Sequence, residues 1–132
     1  MILEGIVSLI MAQGSGVSAL IGSRVYPELL PENPQLPAIT YYISGGTAEP
    51  TFEGSGMQKL RVHFDCHALT YGQAIAAREA LRKLLNGAQG LLPDGTFLGN
   101  AQYIGPVDSP FGRTARQFRL GAEFYLFYNF ND

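Results

Sequence analysis

His63, Asp65 and His67 are the residues of this chain best suited to chemistry, since two imidazoles and a carboxylate in the pattern H-x-D-x-H are metal-ligating and proton-transferring types. Their spacing argues against one shared ion. Same-face residues two apart on a strand lie about 6–7 Å from each other, so His63 and His67 stand about 13 Å apart. They are the only two histidines in the chain, so no third imidazole completes a set. The pattern reads better as a polar strand face on which Asp65 pairs with Arg61, Arg119 or a flanking histidine. No metal and no cofactor is expected.

Other catalytic patterns are missing from the sequence. It has no G-x-S-x-G elbow, P-loop, H-E-x-x-H or paired C-x-x-C. The glycines of Gly14 to Gly16, Gly45-Gly46 and Gly54 to Gly56 lack phosphate-binding placement between a strand and a helix. Ser109 and Thr114 have no evident base. No catalytic residue is assigned, and nothing argues for an enzyme.

The element that carries the two histidines is a strand. Leu60, Val62, Phe64, Cys66 and Ala68 alternate with Arg61, His63, Asp65 and His67, the period of two that strands require. Thr70 followed by Gln73 makes a capping signal, after which Ala74, Ala77, Leu81, Leu84 and Leu85 fall along one helical side. Glu79, Arg82 and Lys83 point away. Asn86-Gly87 supplies the stop.

Before this unit, Ile2 to Met11 carries an apolar stripe at helical spacing, Gln13 to Gly16 ends it, and Val17 to Ile21 makes another turn. Arg24 to Tyr26 is a short extended piece. Pro27, Pro31, Pro34 and Pro37 then rule out a helix interior or a central strand, and Leu29, Leu30 and Leu36 are expected to tack this connection down. Ala38 to Ser44 is the first long strand. Gly45 to Gly56, with four glycines and one proline, reads as a flexible arm linking neighbouring antiparallel strands. On it Phe52 either anchors a partner or folds back on its own sheet.

After the helix, Pro93-Asp94-Gly95 is a turn, Thr96 to Ile104 a third strand and Gly105 to Gly112 another loop. Thr114 to Phe130 is the last long segment, with Phe118, Leu120, Ala122, Phe124, Leu126 and Tyr128 against Arg119, Gly121, Glu123, Tyr125 and Phe127. Its second half is apolar on both faces. Helices cover only one face, so Tyr125 and Phe127 require another cover, a subunit partner or a further segment of the chain.

The 132 residues suit a single domain, 1–132, large enough to bury a real core without disulfides. Cys66, the single cysteine, alternates with the apolar set and reads as a buried, inert thiol. Nine basic against eleven acidic side chains give a formal charge of −2, which offers no global attraction for nucleic acid. The apolar start carries Glu4, lacks a basic run and is too short to cross a bilayer, as befits a protein made in a cytoplasm without a membrane role. The expected architecture is α+β: a mainly antiparallel sheet of about four strands with two principal helices packed on one face.

In its order of elements and their wording, the chain resembles the phage and prophage tail-completion proteins, of the tail-terminator or head-to-tail joining type. The residues that carry the resemblance are Arg24, Tyr26-Pro27, Leu36-Pro37 and Ile39 to Ile43, then LRVHFDCHALTYGQAIAAREALRKLL, and finally the closing RQFRLGAEFYLFY. His67, where that family often has an aromatic, and the Gly-rich arm from Thr47 to Ser55 depart from the pattern. The resemblance implies a structural protein of the virion, made in the bacterial host cytoplasm. It would form a ring with itself, commonly a hexamer, that caps the tail tube protein and meets the head-tail connector, with DNA only passing through the lumen. Partner-facing candidates are Thr47, Phe52 and Glu53 on the arm, Asp108, Phe111 and Arg113 around the later loop, and Arg119, Tyr125 and Phe127 on the last strand. Two rival readings are a small metal-dependent hydrolase using His63, Asp65 and His67, and a monomeric protein-binding module.

Overall fold

The structure is a computed structural model and describes residues 2–12, 15–47, 57–107 and 118–129. Its elements run α1 (Ile2–Met11), α2 (Ser18–Ile21), β1 (Val25–Pro27), β2 (Ala38–Thr47), β3 (Met57–Ala68), α3 (Tyr71–Leu85), β4 (Gly90–Leu91), β5 (Phe97–Pro106) and β6 (Phe118–Asn129). The strands form one sheet in the order β1-β2-β3-β6-β5-β4. β1 runs parallel to β2, and every other neighbouring pair is antiparallel.

The architecture is therefore α+β, as expected, with a six-stranded mixed sheet in place of about four strands. The four long periodic segments supply its antiparallel centre. The two added strands are three and two residues long, too short to show a period. The helical part also differs from two principal helices. α3, with 15 residues, is the main one, whereas α1 is a short N-terminal helix of 10.

Both helices bury their stripes against the same side of the sheet. Ile2, Ile6 and Ile10 of α1 and Ala77, Leu81 and Leu85 of α3 join Val62, Phe64, Ala122, Phe124 and Leu126 in one cluster. At its centre Phe64 and Phe124 meet edge to face, ring centroids 5.6 Å apart, the arrangement their quadrupoles favour. Each fully buried large apolar side chain contributes about 1.5–3 kcal/mol over an exposed one. Gly5 lets α1 come close: a Cβ there would stand 2.7 Å from Leu92 Cδ1 and 3.1 Å from Thr96 Cβ.

The ends of α3 follow their residues. Thr70 is extended, and its hydroxyl accepts from the Gln73 N–H at 3.1 Å, closing one free helix donor. Gly87 takes the left-handed conformation, φ 81°, that L side chains resist. Its N–H donates to Ala101 O at 2.7 Å, and Asn86 Oδ1 accepts from the Tyr103 N–H at 3.0 Å. The helix end is thereby stitched to β5.

The Pro-rich connection is held by fewer leucines than expected. Leu29 is 79% exposed, while Leu30 and Leu36 are half-buried. Polar contacts take over part of the work, with Arg24 Nε donating to Pro37 O at 2.9 Å. β2 continues through Thr47, with a register shift between Ile43 and Gly45, so residues 45–47 of the expected arm belong to the strand. The arm does link neighbouring antiparallel strands, and residues 48–56 lie outside the described residues.

Candidate functional site

The outer face of the sheet, opposite the helices, gathers the polar residues. Strand alternation puts Arg61, His63, Asp65 and His67 there from β3. Register brings Glu123 of β6 opposite His63 on one side and Tyr42 of β2 opposite it on the other. Directly opposed residues on antiparallel strands share a face, so these side chains must meet.

They meet as a connected ion cluster. His63 Nε2 lies 2.7 Å from Asp65 Oδ1, and its Nδ1 lies 3.4 Å from Glu123 Oε2. The second contact is close enough for charge attraction, but the alignment is not that of a hydrogen bond. Arg61 donates to Glu123 Oε1 from Nε at 3.1 Å and from Nη2 at 2.7 Å. Tyr42 stacks on the imidazole with centroids 4.8 Å apart and planes at 29°. His63 and Glu123 are only 5% and 6% exposed. The centre of this polar face is therefore buried within the chain itself.

Burial and charge act on these groups in opposite directions. For His63 desolvation lowers the pKa, yet the Asp65 and Glu123 carboxylates more than offset it, and the net movement is upward from 6.5. For Glu123 desolvation raises the pKa, and Arg61, Ser44 and His63 together bring it below 4.5. His67 goes the other way. Its Nε2 is 2.8 Å from Thr40 Oγ1, and burial holds its pKa below 6.5. The two histidines thus have separate partners, and Asp65 pairs with a flanking one, as one of the sequence readings had it. Among the described residues no group of three or more His, Cys, Asp or Glu is placed to hold a metal ion.

The β5–β6 ladder runs on to the edge of this cluster. Val107, just past β5, donates its N–H to Gly121 O at 3.0 Å. The position of a Cβ on Gly121 is already taken by the Val107 carbonyl oxygen, with His63 Cε1 2.8 Å away. Gly121 is the position where only a residue without a side chain fits.

The candidates from sequence fall into two groups. Phe52, Glu53, Asp108, Phe111 and Arg113 lie outside the described residues. Thr47 ends β2 opposite Lys59. Arg119 stands opposite His67 on β6, half-buried and beside a groove of about 380 Å³ that also touches Thr40, Asp65 and Leu30. Tyr125 and Phe127 lie with rings 6.2 Å apart, and the Lys59 ammonium sits 3.9 Å above the Tyr125 ring, a cation–π contact. Part of the cover over Tyr125 therefore comes from the neighbouring strand. Glu123, Tyr42, Gly121 and Val107 were not singled out. Alternation placed Glu123 on the polar face, but only strand register shows that it faces His63.

Residues 7–112 match the protein-family model described as Tail completion protein gp17. The fold is similar to that of a chain in the structure described as "Virion of native gene transfer agent (GTA) particle", with a TM-score of 0.69 and 16% identity. That likeness covers 93% of this chain and 90% of the other. No curated protein matches the chain.

Proposed function

The chain belongs to the Tail completion protein gp17 family, a structural and non-enzymatic family, and on that premise we propose that it caps a phage-type tail tube as a ring of identical subunits and joins the tail to the head connector. The observation that carries this reading is the family match across residues 7–112. The likeness of fold to a chain from a gene transfer agent virion supports a place in a virion-like particle. A metal-dependent hydrolase is not retained, because the family is non-enzymatic and His63 and His67 are committed to different neighbours.

In this proposal one domain acts as the ring subunit, six to a ring, at the head-proximal end of the tail. A closed ring needs two different patches on each subunit, one meeting the other on the next copy. The arm with Thr47, Phe52 and Glu53, the segment with Asp108, Phe111 and Arg113, and Arg119, Tyr125 and Phe127 on β6 are the proposed contacts with the next subunit, the tube protein and the connector. The net charge of −2 suits a lumen through which DNA passes, since surplus cations on its wall would bind phosphates.

Native mass measurement of the purified chain, alone and with tail tubes, tests the assembly, and electron microscopy of the tubes tests its place. Closed rings on tube ends are expected. A chain that stays monomeric at high concentration and leaves tube ends bare would be a monomeric binding module instead.

A further inference from the structure

The buried cluster on the outer face is complete within one subunit, so its behaviour does not depend on the assembly role. His63 Nε2 faces Asp65 Oδ1 at 2.7 Å and Nδ1 faces Glu123 Oε2 at 3.4 Å. A neutral imidazole has a single N–H, so either tautomer would turn a lone pair toward a carboxylate oxygen. Only the imidazolium offers N–H to both. With Arg61 on Glu123, two cations then balance two carboxylates.

The groups around the ring come from several elements, and from α3 Arg78 Nη1 donates at 3.4 Å to the same Gly121 O that accepts from Val107. Arg61 and Asp65 come from β3, Glu123 from β6 and Tyr42 from β2. His67 and Arg119, register partners on β3 and β6, lie farther along the same face. From the end of β5 comes the backbone of Val107. Its carbonyl oxygen occupies the Cβ space of Gly121, the same point from which His63 Cε1 and Nε2 stand 2.8 and 3.0 Å away. A positive ring edge favours a carbonyl oxygen beside it, whereas a neutral ring offers that oxygen no charge.

We propose that His63 is a proton-operated latch: while charged, its ring holds Val107 against Gly121 at the end of the β5–β6 ladder, and on losing the proton it releases this rung without unfolding the core beneath.

Amide hydrogen exchange read by NMR on the full chain tests the latch, with rates corrected for intrinsic exchange from about pH 5 to pH 9 and the His63 ring titrated in the same samples. Protection of the Val107 amide, which donates to Gly121 O, is expected to be level at acid pH. It should then fall at least about tenfold as His63 loses its proton, the effect of one pKa unit of differential interaction. The amides of Gly87 and Ala101, bonded to Ala101 O and Ala88 O, serve as core references and should keep their protection. In Glu123→Gln the midpoint should move to lower pH. Val107 protection that ignores the His63 titration, or that falls together with Ala101, overturns the latch. The wild-type comparison decides this even if the variant does not fold.

Discussion

Arg61 grips a single carboxylate oxygen of Glu123 with two nitrogens, at 3.1 and 2.7 Å, and thereby ties β3 to β6 on the face away from the helices. The other oxygen of Glu123 turns to His63. One carboxylate thus serves two basic side chains of the neighbouring strand.

Glu123→Ala is expected to destabilise the protein by about 3–5 kcal/mol, the usual cost of removing one member of a buried ion pair and leaving the rest uncompensated. Urea unfolding at neutral pH measures it. A loss below about 0.5 kcal/mol, typical of a surface site, would mean that the cluster does not hold the strands together.

Stability should depend on pH in a definite direction. The raised pKa of His63 makes a contribution that is whole below 6.5 and is lost as pH rises through the folded-state value. The lowered pKa of Glu123 makes one that is present above 4.5 and is lost as pH falls through its folded-state value. The maximum from these two groups therefore lies between them, on the mildly acidic side. Unfolding midpoints in urea across the pH range check this, and a curve still climbing from pH 7 to about pH 9 would contradict the assignment of His63.

Cys66 should resist thiol reagents in the folded protein. Its side chain is fully buried, and burial, aided by Asp65, pushes the thiol up to about 12. The reactive thiolate is therefore scarce at neutral pH. Labelling followed by mass should proceed at the rate of unfolding, and fast labelling of native protein would place the sulfur nearer the surface.

Two glycines make a paired test of close approach. Gly121→Ala drives a Cβ into the Val107 carbonyl, which is backbone and moves only with its chain. Gly5→Ala meets the end of the Leu92 side chain at 2.7 Å and gains up to about 1 kcal/mol of helix propensity. Thermal unfolding should show Gly121→Ala losing about 1–3 kcal/mol, the range of overpacked sites, and more than Gly5→Ala. The reverse order would show that the contact at Val107 yields easily.

Leu91 and Phe97 are register partners at the β4 edge, 75% and 49% exposed. Leu91→Ser and Phe97→Ser should each change stability by less than about 0.5 kcal/mol. Loss of the proposed rings by native mass, with unfolding midpoints unchanged, would assign this pair to a subunit contact.

Local signals in the chain proved the most readable. The alternation of Leu60 to Ala68, the Thr70 cap and the stop at Asn86-Gly87 each involve residues within a few positions of one another, and each appears in the fold. β1 and β4 are too short to carry a period, and the parallel pairing of β1 depends on where the Pro-rich connection leads. The site was half legible. Alternation put His63 and Asp65 on one face, whereas Glu123, sixty residues away, reaches His63 only through the β3–β6 register. Leu29 misled for a similar reason: its apolar type says nothing of whether a neighbour is near. The exposed leucine is tolerated because polar contacts such as that of Arg24 hold the connection.

The two ends of the sheet carry a consequence for solubility in crowded conditions. At one margin β1 offers three residues that finish in Pro27, and at the other β4 offers two that begin at Gly90. Neither is a template long enough for a stray chain to zip onto. The fold thus denies stray chains the cheapest way to grow a fibre, and leaves any association to side chains that can be made selective.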